Sequence, residues 1–385
     1  MRLDIILMLL IVLTATKLAG DLTVRLGQPS VLGKLIVGII VGPAVLGWVT
    51  NGEIVRDMAE VGVILLMFIA GLETDLEQLK QNWKASVAVA LGGIILPFIG
   101  GYLGGTALGM DQGQSLFIGL LLCATSVSIS VQTLKDLGHL SSREGTTILG
   151  AAVVDDVLVV ILLAFMLSLL GAGTEQASLG WIVGKKVIFF AGAIAAGIYA
   201  VPLLMRWLAP LKVSEAVISA ALIICFAFSY AAEQLGVAGI IGAFAAGIAI
   251  SQTDFKQEVE HRLEPIAYGI FVPVFFVSVG LEVTFAGLGQ HVGFMLLFSL
   301  LAIATKLFGC MLGARMTGFG RRSAFGIGSG MVSRGEVALI IATAGLEGAL
   351  FDPVLFTPLV IVIIVTTLVT PPMLKLAFRQ GGSRS

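Results

Sequence analysis

Apolar stretches of membrane-spanning length alternate with short polar connections along the whole chain. A bilayer core needs about 20 mostly apolar residues per helix. By that measure the pattern predicts thirteen spans, near 3–24, 29–49, 55–73, 84–109, 114–136, 145–172, 180–206, 213–234, 237–252, 263–282, 290–316, 322–347 and 353–378. The ninth is short. The predicted fold class is therefore an all-α integral membrane protein with 13 transmembrane helices.

Basic residues orient these spans. Sixteen of the 23 Lys and Arg fall at one set of alternating ends, among them Lys80, Lys84, Lys135, Arg143, Arg315, Arg321 and Arg322. The opposite ends carry only Arg2 and Arg56, and Lys34, Lys185, Lys186, Lys306 and Arg334 lie within spans. An excess of Lys and Arg marks the cytoplasmic side. The pattern predicts an outside N-terminus and a cytoplasmic C-terminus, which requires an odd number of spans.

Glycines recur at a fixed offset. Adding 209 carries Gly33 and Gly38 onto Gly242 and Gly247, Gly71-Leu72-Glu73 onto Gly280-Leu281-Glu282, and Gly100 and Gly104 onto Gly309 and Gly313. Small residues also recur wherever membrane helices pack closely, but one ungapped offset links three consecutive spans. The shift predicts repeat one at about 3–172, a linker helix at about 180–206 and repeat two at about 213–378. It moves each span by seven helices, an odd number, so the two six-helix repeats are predicted to be inverted. Inverted repeats are typical of secondary transporters, with the ion site near the bilayer midplane.

Composition narrows the class further. Only 12% of residues are charged, the mean hydropathy is +1.04 and the net charge is −1, so no basic field exists to hold nucleic acid. The three cysteines, Cys123, Cys225 and Cys310, are an odd number inside apolar stretches, and no disulfide framework is expected. Lys17 interrupts the first apolar run, so no cleaved signal peptide is expected. The chain runs on for about seven residues past its last span, and no attached soluble regulatory domain is expected.

Ionisable groups inside a bilayer cost about 3 kcal/mol or more each and mark function by default. The sixth span carries two in succession, Asp155 and Asp156. Neighbours on a helix point about 100° apart, so these carboxylates cannot face one another and must serve different partners. Burial disfavours a carboxylate's charged form and a nearby cation favours it. A buried Asp balanced in this way exchanges a proton for a metal cation near neutral pH. Purely architectural, satisfied acids are the alternative. Lys306 lies mid-span and calls for an anion, one of the two Asp being the obvious candidate. Snorkelling is the alternative there, and the better reading for Lys34, Lys185 and Lys186, which lie nearer span ends.

Two spans are predicted to be broken. Thr125, Ser126, Ser128 and Ser130 crowd the fifth, and their hydroxyls compete for backbone hydrogen bonds. Gly326, Gly328, Gly330 and the run Arg334-Gly335-Glu336 interrupt the twelfth. The 209 shift carries Thr125 onto Arg334, so the weak segments are symmetry mates predicted to cross near Asp155 and Asp156. Arg334 and Glu336 either neutralise half-helix ends there or form a structural charge pair. The shift carries Asp155 and Asp156 onto Ile364 and Val365, and Lys306 onto Pro97, so one ion site per chain is predicted.

The strings Ala124-Thr-Ser-Val127, Val154-Asp-Asp-Val157 and Ser333-Arg-Gly-Glu-Val337, with the lone Lys306, resemble the bacterial monovalent cation:proton antiporters, in particular the NapA-type sodium/proton antiporters and their germination-associated relatives. The resemblance covers essentially the whole chain. It implies a core domain and a dimerisation domain, a homodimer in the bacterial cytoplasmic membrane, and elevator-like alternating access. It also implies that Asp156 is the main cation and proton site, that Asp155 pairs with Lys306, that Thr125 and Ser126 lie on the first unwound stretch, and that Arg334 and Glu336 lie on the second. Potassium-efflux relatives commonly carry Gln-Asp where this chain has Asp155-Asp156.

The expected function is exchange of Na⁺, with Li⁺ and K⁺ as further candidates, for H⁺ at oxygen ligands that suit a hard cation. No cofactor and no enzymatic activity are expected. The alternative is a sodium-coupled solute symporter on a related inverted-repeat fold. An intramembrane aspartyl protease needs its two Asp on separate, facing helices, and here they are adjacent.

Overall fold

The computed structural model describes residues 2–26, 28–74, 76–169, 179–283, 289, 291–347, 350–351 and 353–378. Among them there are helices, turns and short connections, and no strand. In chain order the helices are α1 (Arg2–Arg25), α2 (Ser30–Val41), α3 (Glu53–Glu73), α4 (Leu76–Gln81), α5 (Trp83–Ala107), α6 (Gln112–Cys123), α7 (Val127–Asp136), α8 (Arg143–Leu169) and α9 (Leu179–Ala195). There follow α10 (Val201–Leu208), α11 (Ala216–Gln234), α12 (Gly239–Ser251), α13 (Lys256–Ile266), α14 (Val272–Leu281), α15 (Val292–Met316), α16 (Arg321–Gly330), α17 (Glu336–Glu347) and α18 (Phe356–Phe378).

Nine helical stretches among the described residues are long and apolar enough to cross a bilayer. Four expected spans, at 29–49, 55–73, 237–252 and 322–347, fall outside that standard for local reasons. The span expected at 29–49 stops at Val41, where Gly42 precedes Pro43. A residue before proline is pushed out of the helical region, and Gly42 is extended. Helix α2 thus rises only about 18 Å, and α12, at the expected short ninth span, only about 20 Å. Helix α3 is long enough, but Glu53, Arg56, Asp57 and Glu60 charge its first turns. Its second half is interior: every residue from Gly62 to Leu72 is buried. The fourth is the expected twelfth span, which is the pair α16 and α17 separated by residues 331–335.

Burial separates inside from outside. In the apolar window of Gln112–Asp136, 94% of residues are buried, against 17% for Ile5–Arg25 and 11% for Gly184–Leu208. The interrupted pair α6 and α7 is therefore the centre of the bundle, and α1, α9 and α10 form its rim. Helix contacts inside are close because glycines allow them. A Cβ on Gly38 would press on the Gly280 backbone, and one on Gly247 would press on that of Gly71. Such contacts replace the hydrophobic drive that lipid does not supply.

Two π segments, Ala196–Ala200 and Ala267–Phe271, join α9 to α10 and α13 to α14 without a break. Each ends two residues before a proline, Pro202 and Pro273. Proline lacks an N–H and its ring displaces the carbonyl one turn back. The wider π turn absorbs that displacement and lets the helix continue.

Candidate cation site

Three residues separate α6 from α7. Ala124 and Ser126 are extended, and no side chain caps α7. Five residues separate α16 from α17. The two interruptions hold each other. The Ser126 N–H donates to Ser333 O at 2.8 Å, and the Ser333 hydroxyl donates back to Ser126 O at 2.6 Å. Ser130 donates to Gly330 O at the end of α16, and Thr367 of α18 donates to Arg334 O. Unwinding thus exposes backbone groups that the opposite break satisfies, as buried polar groups require.

Asp155 is wholly buried beside the first break. The Thr125 hydroxyl donates to its Oδ2 at 2.7 Å. Lys306 Nζ lies 3.2 and 3.3 Å from the two carboxylate oxygens. Lys306 is equally buried, and it also donates to Gly93 O at 2.8 Å and to Cys123 O at 2.5 Å. An ammonium has three donors, and three groups take them. Gly93 is what admits the lysine, since a Cβ there would stand 2.6 Å from Cys310 Sγ and 3.3 Å from the ammonium.

Arg334 is buried and turns to backbone. It donates to Leu122 O through Nε (3.2 Å) and Nη2 (2.6 Å), to Ala302 O (3.1 Å) and to Val332 O (3.0 Å). Leu122 and Cys123 end α6, so Arg334 and Lys306 place two cations on the negative end of that half-helix. Glu336 opens α17, and its side chain lies outside the described residues.

Asp156 looks elsewhere. It is 6% exposed and lines a small cavity of about 20 Å³ with Lys186, Val160 and Val337. Ser126 is buried, with its backbone engaged on Ser333 and its hydroxyl against Gly335. Asp155, Lys306, Thr125 and Arg334 thus meet at one junction, and Asp156 opens the second, adjoining space. A larger cavity of about 740 Å³ lies on the other side of Asp156 along α8, lined by Gly150, Val153 and Val154. Lys80 and Gln252 also line it, and Ile241 borders both spaces.

Lys186 corrects the snorkelling expectation. It is 3% exposed and donates to Gly236 O, whereas Lys185 sits over the Trp181 ring at 5.5 Å. Nothing in the local sequence separates the two lysines, because a rim helix can expose neighbours about 100° apart.

A family model described as sodium/hydrogen exchanger, transmembrane, matches residues 7–380. The chain is 62% identical over 378 residues to the Na(+)/H(+)-K(+) antiporter GerN of Bacillus cereus, covering 98% of this chain and 97% of that one. It is 44% identical over 376 residues to the Na(+)/H(+) antiporter of Enterococcus hirae, covering 95% and 96%. The solved structure of the sodium proton antiporter MjNhaP1 from Methanocaldococcus jannaschii at pH 8 shares the fold, with a TM-score of 0.72 at 16% identity over 99% of both chains. With this family match, these relatives and a bundle of apolar helices, the chain belongs to the transmembrane sodium/hydrogen exchanger family and is a multi-pass transporter, not an enzyme.

Proposed function

We propose that this chain exchanges Na⁺ for H⁺ by competition at Asp156, with Li⁺ and K⁺ as further candidates, through elevator-type movement of a core that contains the two broken helices. The observation that carries this reading is the buried junction beside Asp156. There Lys306 and Thr125 occupy Asp155, and the next carboxylate borders a cavity. One acid is thereby paired with a lysine, and the other borders the space that this reading assigns to the ion. The cation binds Asp156 with oxygen ligands from the break around Thr125 and Ser126, and a proton replaces it on the return. The names of the relatives, Na(+)/H(+)-K(+) and Na(+)/H(+) antiporters, agree with this.

Thirteen spans in two inverted repeats belong to the same reading. Adding 209 to Ser30–Val41 gives 239–250, beside Gly239–Ser251, and adding it to Trp83–Ala107 gives the bounds of Val292–Met316. The contact of Gly38 with Gly280 becomes, under the same shift with partners exchanged, that of Gly247 with Gly71. That exchange is what a pseudo-twofold axis produces. The basic residues support an outside N-terminus and a cytoplasmic C-terminus in the bacterial cytoplasmic membrane. Lys80 at the larger cavity supports a conformation open to the cytoplasm. A homodimer within the lipid bilayer completes the proposal.

The test is reconstitution into liposomes carrying a pH dye, followed by additions of Na⁺, Li⁺ and K⁺ in turn. Na⁺ is expected to drive proton release, and Asp156→Asn to abolish it. Absence of cation-driven proton flux in the wild type refutes antiport, and undiminished flux in Asp156→Asn refutes the site.

A further inference from the structure

Lys186 stands outside the mechanism just described, and nothing in the sequence motifs gave it a role. It belongs to α9, a rim helix, yet it is 3% exposed. Its ammonium donates to Gly236 O, in the connection between α11 and α12. Together with Asp156 it borders the 20 Å³ cavity, closed in by Val160, Val237 and Val337, and the two charges interact electrostatically.

The position along the bundle is ordered. On α8 the large cavity is lined by Gly150, Val153 and Val154, which precede Asp156, and the small one by Val157 and Val160, which follow it. On α9 the large cavity is lined from Phe190 onward and the small one by Lys186. Along α8, Asp156 therefore stands between the residues that line the large cavity and those that follow it in the small one, and it shares the small one with a buried ammonium. Space of about 20 Å³ holds a single water, so little solvent screens the two charges from each other.

Resting on the antiport reading above, we propose that Lys186 is a tethered counter-cation that competes with the transported ion for Asp156 and thereby sets cation affinity from the closed side of the site. With the site empty, the ammonium balances the carboxylate across the cavity. A cation entering from the large cavity takes over that role, and Lys186 is left to Gly236 O. The lysine binds no substrate itself. It acts through Asp156 as an affinity-determining residue, and the same charge on the closed side hinders a cation from leaving that way.

The experiment is Na⁺-driven proton flux in liposomes at alkaline pH, where Asp156 competes least with protons. Lys186→Gln is expected to lower the KM for Na⁺ about fivefold with little change in kcat, because a repulsive charge in a poorly screened space is removed. Lys186→Arg keeps the charge and is expected to keep a KM near that of the wild type. An unchanged KM in Lys186→Gln overturns the proposal. Equal shifts in the Gln and Arg variants also overturn it, because loss of the Gly236 tie alone would move both. Should Lys186→Gln fail to fold, the purified wild type decides. Na⁺ is expected to increase reductive methylation of Lys186 by formaldehyde and borohydride, read by mass spectrometry, as the ammonium is freed from the carboxylate. Labelling that is unchanged or reduced by Na⁺ overturns the proposal. Failure of these tests leaves antiport untouched, since antiport is judged by flux in the wild type and in Asp156→Asn.

Discussion

At the scale of single residues, the Asp155–Lys306 contact is a buried ion pair with every ammonium donor engaged. Such a pair is costly to break from one side, because the remaining charge is left uncompensated. Lys306→Ala is expected to lower stability by about 3–5 kcal/mol, measured as thermal unfolding in detergent. Asp155→Asn combined with Lys306→Gln is expected to lose less than the sum of the single changes, the signature of direct coupling. Asp156, as the proposed cation site, makes a different prediction. A protonated carboxylate does not hold a metal cation, so proton and cation exclude each other there. The KM for Na⁺ is expected to rise as pH falls, by up to about tenfold per unit once the carboxylate titrates. A KM independent of pH across the active range contradicts competition.

Elements explain why the site can exist in a bilayer at all. A broken helix in hydrocarbon leaves carbonyl and N–H groups unsatisfied, and irregular backbone survives only where protein answers it. Here Ser333, Ser130, Thr367 and Arg334 supply the answers. Arg334→Lys keeps the charge but cannot span Leu122, Ala302 and Val332, and is expected to cost about 3 kcal/mol or more in unfolding free energy. Ser333→Ala removes one donor from Ser126 O and is expected to cost about 1–3 kcal/mol. The interruptions were legible in sequence, because clustered hydroxyls in one segment and glycines in the other weaken a helix whatever surrounds it. The length of α2 was less so. The apolar run continues past Gly42-Pro43, and only the backbone restriction at that dipeptide ends the helix.

Across the whole molecule, membrane character could be read from run length alone, since the bilayer thickness imposes it. Which groups meet could not. Helical spacing said that Asp155 and Asp156 diverge, but not that Gly93 of α5 opens the way for Lys306, nor that Lys186 would be buried. Those outcomes depend on helices distant in sequence. A comparable long-range tie joins the end of α7 to its surroundings: Lys135 pairs with Glu73 of α3 and with Glu264 of α13. If the core that holds α7 moves against α3 during exchange, a short bifunctional thiol reagent across Lys135→Cys and Glu73→Cys is expected to stop flux. Its reductive cleavage is expected to restore it, with the singly substituted proteins unaffected by the reagent. Flux that continues in the cross-linked protein contradicts movement between these helices.

The three bonds that hold Lys306 have an electrical meaning. While the ammonium keeps its proton, one Na⁺ for one H⁺ carries no net charge. The Na⁺ ratio the protein sustains then equals the proton ratio, whatever the membrane potential. If the ammonium gives up its proton to incoming Na⁺, one charge crosses per cycle, and each 100 mV contributes about 2.3 kcal/mol. That work is of the same order as the bonds to Asp155, Gly93 and Cys123 that would have to be given up. A diffusion potential imposed on proteoliposomes thus acts as a voltmeter for the protonation of one buried side chain, and the energised membrane draws on exchange only to the extent that those bonds yield.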